Sequence, residues 1–445
     1  MKKKTIVLIW LFCSAFFSLC IPCTGLDYGD TLPQPLTKED AVQYALTHNH
    51  AYKAAFEDVG VAKERVNQAR ADFLPKLDTS YSFHQWSNQP YFDLSGQVLP
   101  FSIKTSNRWE VNLIQPLFTG FGLESQYKSS KAGQQISKYQ LEEARLNLVR
   151  DVQESYLQVL LGARLLQVAR DNVSSLEVQR RNAETNYKQG VAAENDVLKA
   201  EVALSEAVQR ERSARKQLIV LQSALNQLLD IDLQAKVDLA QIEEKTYEIP
   251  ELGELYATAE GKRPEYLALE TSIKQAEYGK TAARSNYYPH VSAFAQYYRE
   301  GEEFTGDKNP FTNNENAAIG VRMDWNIFEG GKTRASELEW EHRRTGLEQK
   351  RDNLRQQIRL QVENAYEQLK VAKANIDTTR VALKQAEENE RITTLQYKQQ
   401  VVIFLEVLNA QVFVAQTQAD FYQALYGYEI AKAELERAIA TQIDS

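Results

Sequence analysis

Between Val149 and Tyr187 apolar residues recur at alternating spacings of three and four: Val149, Val152, Tyr156, Val159, Ala163, Leu166, Val173, Leu176, Ala183 and Tyr187. Arg170 and Arg180 are set into the same stripe. A stripe of this period held for more than five heptads is the seam of a coiled coil, and it predicts one very long helix. The stripe stops at Tyr187-Lys188-Gln189-Gly190, where glycine can take the left-handed conformation that ends a helix. It restarts at Val197, Leu198 and Ala200, so the arm folds back on itself.

An offset of 210 residues reproduces the arm: Val362, Tyr366, Leu369, Ile376, Arg380, Leu383 and Tyr397 keep the chemical type of their counterparts. The return repeats as well, Asp196-Val-Leu-Lys-Ala200 being answered by Glu406-Val-Leu-Asn-Ala410. A period this long is not a solenoid unit and marks a duplicated half-molecule.

Upstream of each arm the period changes. Thr37-Lys-Glu-Asp40 offers a cap and acids for a helix start, and an alanine-rich stripe carries that helix to Phe73 before Pro75. Its copy runs from Glu251 to Tyr288 before Pro289. Past each proline, alternation of period two predicts strands at about 76–86 and 107–116, and again at about 290–298 and 317–328. The clearest sets Ile319, Val321, Met323, Trp325 and Ile327 against Gly320, Arg322, Asp324 and Asn326. Polar loops, Ser87 to Ser106 and Arg299 to Asn316, join each pair. Strands with one apolar and one polar face suit a transmembrane barrel, yet four cannot close one, because single-chain barrels need at least about eight. The chain must share its barrel with copies of itself. Each long helix, about 123–187 and 332–397, reaches roughly 100 Å, beyond what one globular core can bury.

The predicted order is therefore a signal peptide at 1–25, a first repeat at 26–235, a connector at 236–249 and a second repeat at 250–445. Lys2-Lys3-Lys4, the apolar run Ile6 to Leu19 and the small residues near Gly25 carry the signal-peptide pattern. Cys13, Cys20 and Cys23 all lie within it, so the exported chain needs no disulfide. Leu19 before Cys20 is not the small residue that a lipidation signal places there. The formal charge of −8, more negative once the lysines leave, speaks against nucleic acid as a partner.

Ala69-Arg-Ala-Asp-Phe-Leu-Pro75, Pro116-Leu-Phe-Thr-Gly120, Tyr187-Lys-Gln-Gly190 and Asp196-Val-Leu-Lys-Ala200, with their second-half copies, resemble the outer-membrane efflux protein family, the TolC-type exit ducts. The resemblance covers Leu36 to Ala440. It implies a mainly α fold with a small β part, a trimer pooling four strands per chain into a twelve-stranded barrel, and a helical cylinder crossing the periplasm. It further implies a passive duct of a Gram-negative outer membrane, in contact with its lipid. An adaptor and an inner-membrane pump of an efflux or type I secretion system feed it. Its periplasmic gate would fall at Tyr397, Val402, Glu406 and Asn409, with Tyr187, Gly190 and Asp196 at the first-half tip and Arg322, Asp324 and Asn326 facing the lumen. The family pattern has glycine where Gln400 stands, an arginine at Val402 and an acid at Asn409.

Enzymatic readings find little support. Gly330-Gly331-Lys332-Thr333 lacks the first glycine of a phosphate loop, Asn326 standing there, and a strand-to-helix turn explains it. His48 and His50 do not share a helix face, so they do not pair as metal ligands. No cofactor is expected. The rival readings, a periplasmic coiled-coil adaptor and a structural coiled coil, leave the paired strands in each half unexplained.

Overall fold

The computed structural model describes residues 32–242 and 247–443, so the signal-peptide segment lies outside the described residues. The fold is mainly α with a small β part. In chain order the elements are α1 (Lys38–His48), α2 (His50–Ala71), β1 (Lys76–Gln85), β2 (Tyr91–Leu94), β3 (Gln97–Pro100), β4 (Thr105–Thr119), α3 (Gly122–Lys188) and α4 (Glu194–Leu229). There follow α5 (Leu252–Lys262), α6 (Pro264–Arg284), β5 (His290–Gly301), β6 (Glu315–Asp324), α7 (Lys332–Lys398) and α8 (Phe404–Ile439).

The two long helices are each 67 residues and the two return helices each 36. Along α3 the seam is the buried face: Val152, Tyr156, Val159, Leu166, Leu176 and Ala183 are buried. Arg170 leaves the stripe half exposed, its guanidinium 3.6 Å from Glu211, as a long stem with its head in water does. The buried residues fall into three clusters. One joins α1, the middle of α3 and the end of α4 around Tyr156. Another joins α5, α7 and α8 around Leu369 and Leu435. The third lies at the tips, where Leu176, Ala183 and Ala200 meet Phe404 and Leu408. Full burial of one such side chain stabilises by roughly 1.5–3 kcal/mol.

Each helix that the alanine stripes predict as one rod is two. Asn49 has a non-helical ψ of 121°, accepts from the Tyr52 amide at 3.1 Å and donates to the Leu228 carbonyl at 3.0 Å, so it ends α1, caps α2 and anchors the break. In the second half Pro264 opens α6 and keeps Arg263 extended. The segment after α4 is also tied down, since Leu36 and Leu239 form a parallel bridge.

Four strands form one antiparallel sheet in the order β1-β4-β5-β6. β6 ends at Asp324, opposite His290 at the start of β5, so Asn326 lies beyond the ladder and donates instead to Glu329. The first loop holds a small hairpin, β2 with β3, that its polar composition hides. Ser95 and Gly96, both at positive φ (55° and 92°), make its two-residue turn.

Candidate functional site: a two-faced sheet and two hairpin tips

Apart from an irregularity between Pro116 and Phe118, the register sorts the residues of the four-stranded sheet onto two faces. Leu77, Leu113, Ala295 and Ile319 stand in one row, and Thr79, Val111, Tyr297 and Ala317 in the next. Val291 with Met323 and Ala293 with Val321 continue the same face. Its outer members are bare: Ile319 is 87%, Val321 67% and Met323 63% exposed. From Met323 to the level of Trp109 the apolar face spans about 25 Å, the height of the lipid band of a membrane barrel.

Aromatic rings close both ends of this band. Tyr81 and Trp109 lie 4.8 Å apart, Phe304 folds onto both, and the Trp109 indole donates to the Phe304 carbonyl at 2.8 Å. At the other end the Trp325 indole donates to the Tyr287 carbonyl at 3.2 Å, beside the ring pair of Phe121 and Tyr288. Amphipathic rings at two levels are what a bilayer interface selects.

The opposite face is polar and cross-linked. Glu110 accepts from Gln296 at 2.6 Å, Asn112 at 2.8 Å and Arg108 at 3.1 Å. Arg108 stacks on Tyr298 at 4.2 Å and reaches Glu300, which also accepts from Ser106 at 2.6 Å. Arg322 and Asp324 belong to this face, level with Ser292 and His290. Phe294 interrupts it, and Gly320 makes room: a Cβ there would stand 2.9 Å from the ring. Sequence reading names Arg322 and Asp324 but passes over Arg108 and Glu300, although both occupy alternate positions of their strands.

At the hairpin tips, Gly190 and Gln400 both take positive φ. The Tyr397 ring lies 5.5 Å from Phe404 and joins the tip cluster, whereas Tyr187 is exposed. Glu406 is exposed on the first turn of α8, Val402 half-buried before it, and Asp196 half-buried on the first turn of α4. Asn409 lines a groove of about 730 Å³ between α4 and α8 with Asn195, Lys199 and Phe413. One chain thus brings Asn409 toward α4 and Tyr397 onto Phe404, and leaves Glu406 facing outward.

A membrane-type sheet carried on helices about 100 Å long defines a channel-forming protein of the outer membrane. The chain belongs to the outer membrane efflux protein family, whose model matches residues 41–230 and 255–441. It is similar to the alkaline protease secretion protein AprF of Pseudomonas aeruginosa, 23% identical over 402 residues that cover 89% of this chain and 82% of that one. It is also similar to the outer membrane efflux protein BepC of Brucella suis, 22% identical over 408 residues, 90% and 85% of the two chains. Its fold matches the CmeC outer membrane channel of Campylobacter jejuni, with a TM-score of 0.79 and 17% identity over 92% of this chain and 87% of that one. The family is one of transport proteins, not of enzymes.

Proposed function

We propose that three copies of this chain pool their sheets into one twelve-stranded barrel above a helical cylinder. The assembly is a passive exit duct that takes cargo from an inner-membrane pump through a periplasmic adaptor, without catalysis of its own. The observation that carries this reading is the open sheet: among the described residues neither β1 nor β6 has a further strand beside it, yet these edges carry the barest large apolar strand residues, Ile319 of β6 at 87% and Leu77 of β1 at 71%. Pairing β6 of one copy with β1 of the next satisfies both edges and turns one continuous apolar face to lipid.

The two halves are read as tandem repeats, 26–235 and 250–445, behind a signal peptide at 1–25 and around a connector at 236–249; the equal lengths of their hairpin helices support this. Tyr397, Val402, Glu406 and Asn409 are assigned to the gate at the second tip, and Tyr187, Gly190 and Asp196 to the companion tip. The names of AprF and BepC speak of protease secretion and of efflux, in keeping with a duct of a secretion or an efflux system.

The test is membrane fractionation followed by a gel of unheated and heated samples. An unheated outer-membrane band at three times the mass of one exported chain, falling to one chain on heating, supports the reading. Recovery as a soluble monomer would overturn it.

A further inference from the structure

Where the start of α6 meets the end of α8, Arg263, Glu265 and Arg437 form a buried cluster that the duct reading does not use. The Arg263 and Arg437 side chains are only 7% and 10% exposed, and both guanidinium groups bond the one Glu265 carboxylate, at 2.9 and 2.6 Å. Arg263 is fully engaged, since Nη1 also donates to the Gln361 amide oxygen at 2.6 Å. Arg437 is not: Nε donates to Asn147 at 2.6 Å and Nη2 to Glu265, while Nη1 is closed off from solvent and has no hydrogen-bond partner. A guanidinium cannot shed its proton, so Arg437 stays charged, paired with Glu265 through Nη2 but with Nη1 left without an acceptor.

These groups line a pocket of about 470 Å³ whose far wall is Arg150 on α3 and Glu434 on α8. Arg150 spends its nearer bonds on Asp151, at 2.6 and 2.9 Å, and meets Glu434 only at 3.4 Å. Three guanidinium groups therefore face two carboxylates among the lining residues, and Asn364 and Gln368 add amide donors. The Glu265 carboxyl is pushed up by burial but pulled further down by its two arginine partners, to about 2, so its charge is committed to them. Glu143, held partly out of water, is raised by burial first and by the Glu265 charge second.

We infer that this pocket binds a small oxyanion, a phosphate or a carboxylate, held between the guanidinium groups of Arg437 and Arg150. Planar guanidinium donors suit both groups, because a fork of N–H groups matches two oxygens of a phosphate or carboxylate better than one spherical chloride. The site is complete within one chain and does not depend on the trimer.

The test uses the purified full-length protein in detergent, titrated separately with sodium phosphate and with sodium succinate, against sodium chloride at equal ionic strength. Calorimetry and thermal unfolding are the readouts. Saturable binding of one or both, with a rise in melting temperature that chloride does not give, is expected, and which of the two binds tells phosphate from carboxylate recognition. Glu434→Gln, at the half-exposed rim, should tighten binding severalfold, and Arg437→Lys, which keeps the charge and loses the fork, should weaken it about tenfold. No saturable binding of either anion, or equal affinity in Glu434→Gln, Arg437→Lys and the parent protein, would overturn the assignment.

Discussion

Gly190 and Gln400 occupy the same left-handed turn at the ends of α3 and α7, with φ of 74° and 60°. In each tip the turn amide bonds the carbonyl of a tyrosine, Tyr187 or Tyr397, at 2.9 Å. The next amide, of Val191 or Val401, reaches back to Asn186 or Gln396 at 3.0 and 2.9 Å. The missing glycine of the second tip has not changed the turn; it has only made it strained, because a Cβ at positive φ costs on the order of 1 kcal/mol.

Gln400→Gly should accordingly stabilise the second tip by about 1 kcal/mol, and Gly190→Gln should loosen the first by a similar amount. Nothing stands within 4 Å of a Cβ built on Gly190, so the penalty there is conformational and not steric. Hydrogen exchange at the Val191 and Val401 amides reads both effects locally. Unchanged protection at Val401 in Gln400→Gly would mean that other contacts, such as Tyr397 on Phe404, hold the turn.

The sheet makes an opposite pair of predictions for adjacent residues. Val321 lies on the bare apolar face and Arg322 on the polar one, with its guanidinium 5.5 Å from the Phe294 ring. A charge on the lipid face at mid-depth costs about 2–4 kcal/mol. Val321→Arg should lower the yield of assembled protein in the outer membrane, whereas Arg322→Gln should leave it nearly unchanged. Equal tolerance of the two would remove the assignment of faces.

What the chain discloses by itself follows from the range of the forces involved. The arms are legible because a seam such as Val152, Tyr156 and Val159 repeats every turn, and the faces of β6 because alternation from Ile319 to Met323 is a local signal. The breaks at Asn49 and Arg263 are less so: Pro264 announces one, but the Asn49 break leans on the Leu228 carbonyl, 179 residues away. The hairpin of β2 and β3 had a signal in Ser95-Gly96, which the polar composition of the loop masked. The arginine pocket had none, since Arg150 and Arg437 come from two separate helices and Arg263 from the break before α6, and only the packing of α3, α6 and α8 unites them.

Tyr156 shows what such packing can do to a single group. It is completely buried, and its hydroxyl lies 2.9 Å from the Leu36 carbonyl and 2.7 Å from that of Ala240, across the Leu36–Leu239 bridge. Burial first, and the charge of Glu39 second, push its phenol up from 10.0 to about 12. The folded value lies above the unfolded one, so this contribution is complete below pH 10.0 and is lost as the pH climbs through about 12. Tyr156→Phe should cost roughly 1–3 kcal/mol at neutral pH, by leaving the Ala240 carbonyl short of its donor, while the Leu36 carbonyl still accepts from the Ala240 amide. It should also flatten the loss of stability between those pH values, where Tyr247, also near 12, continues to titrate. Denaturant unfolding at pH 7 and at pH 11 separates the two effects. A variant as stable as the parent at pH 7, with the same alkaline slope, would show that the hydroxyl does not fasten this bridge.

The second tip supplies the test of conduction. Glu406 is exposed on the first turn of α8, past Val401 and Ile403, both exposed, and half-buried Val402. If three chains meet at this end, three copies of Glu406 surround one axis, and their joint field draws cations into the constriction. Val402 offers no charge for a locking ion pair, so closure at a gate built here would rest on apolar contacts of the valines and Phe404 and on hydrogen bonds from Tyr397 or Asn409. Single-channel recording in planar bilayers should then show a cation-selective pore, with lower selectivity and weaker block by multivalent cations in Glu406→Gln. Tyr397→Phe should leave the pore open for longer if the hydroxyl holds the closed state, since the ring packing on Phe404 survives that change. An unchanged reversal potential in Glu406→Gln would transfer the selectivity to another group. Asp196 on the first turn of α4 is the next to substitute, because it holds the matching position on the companion tip.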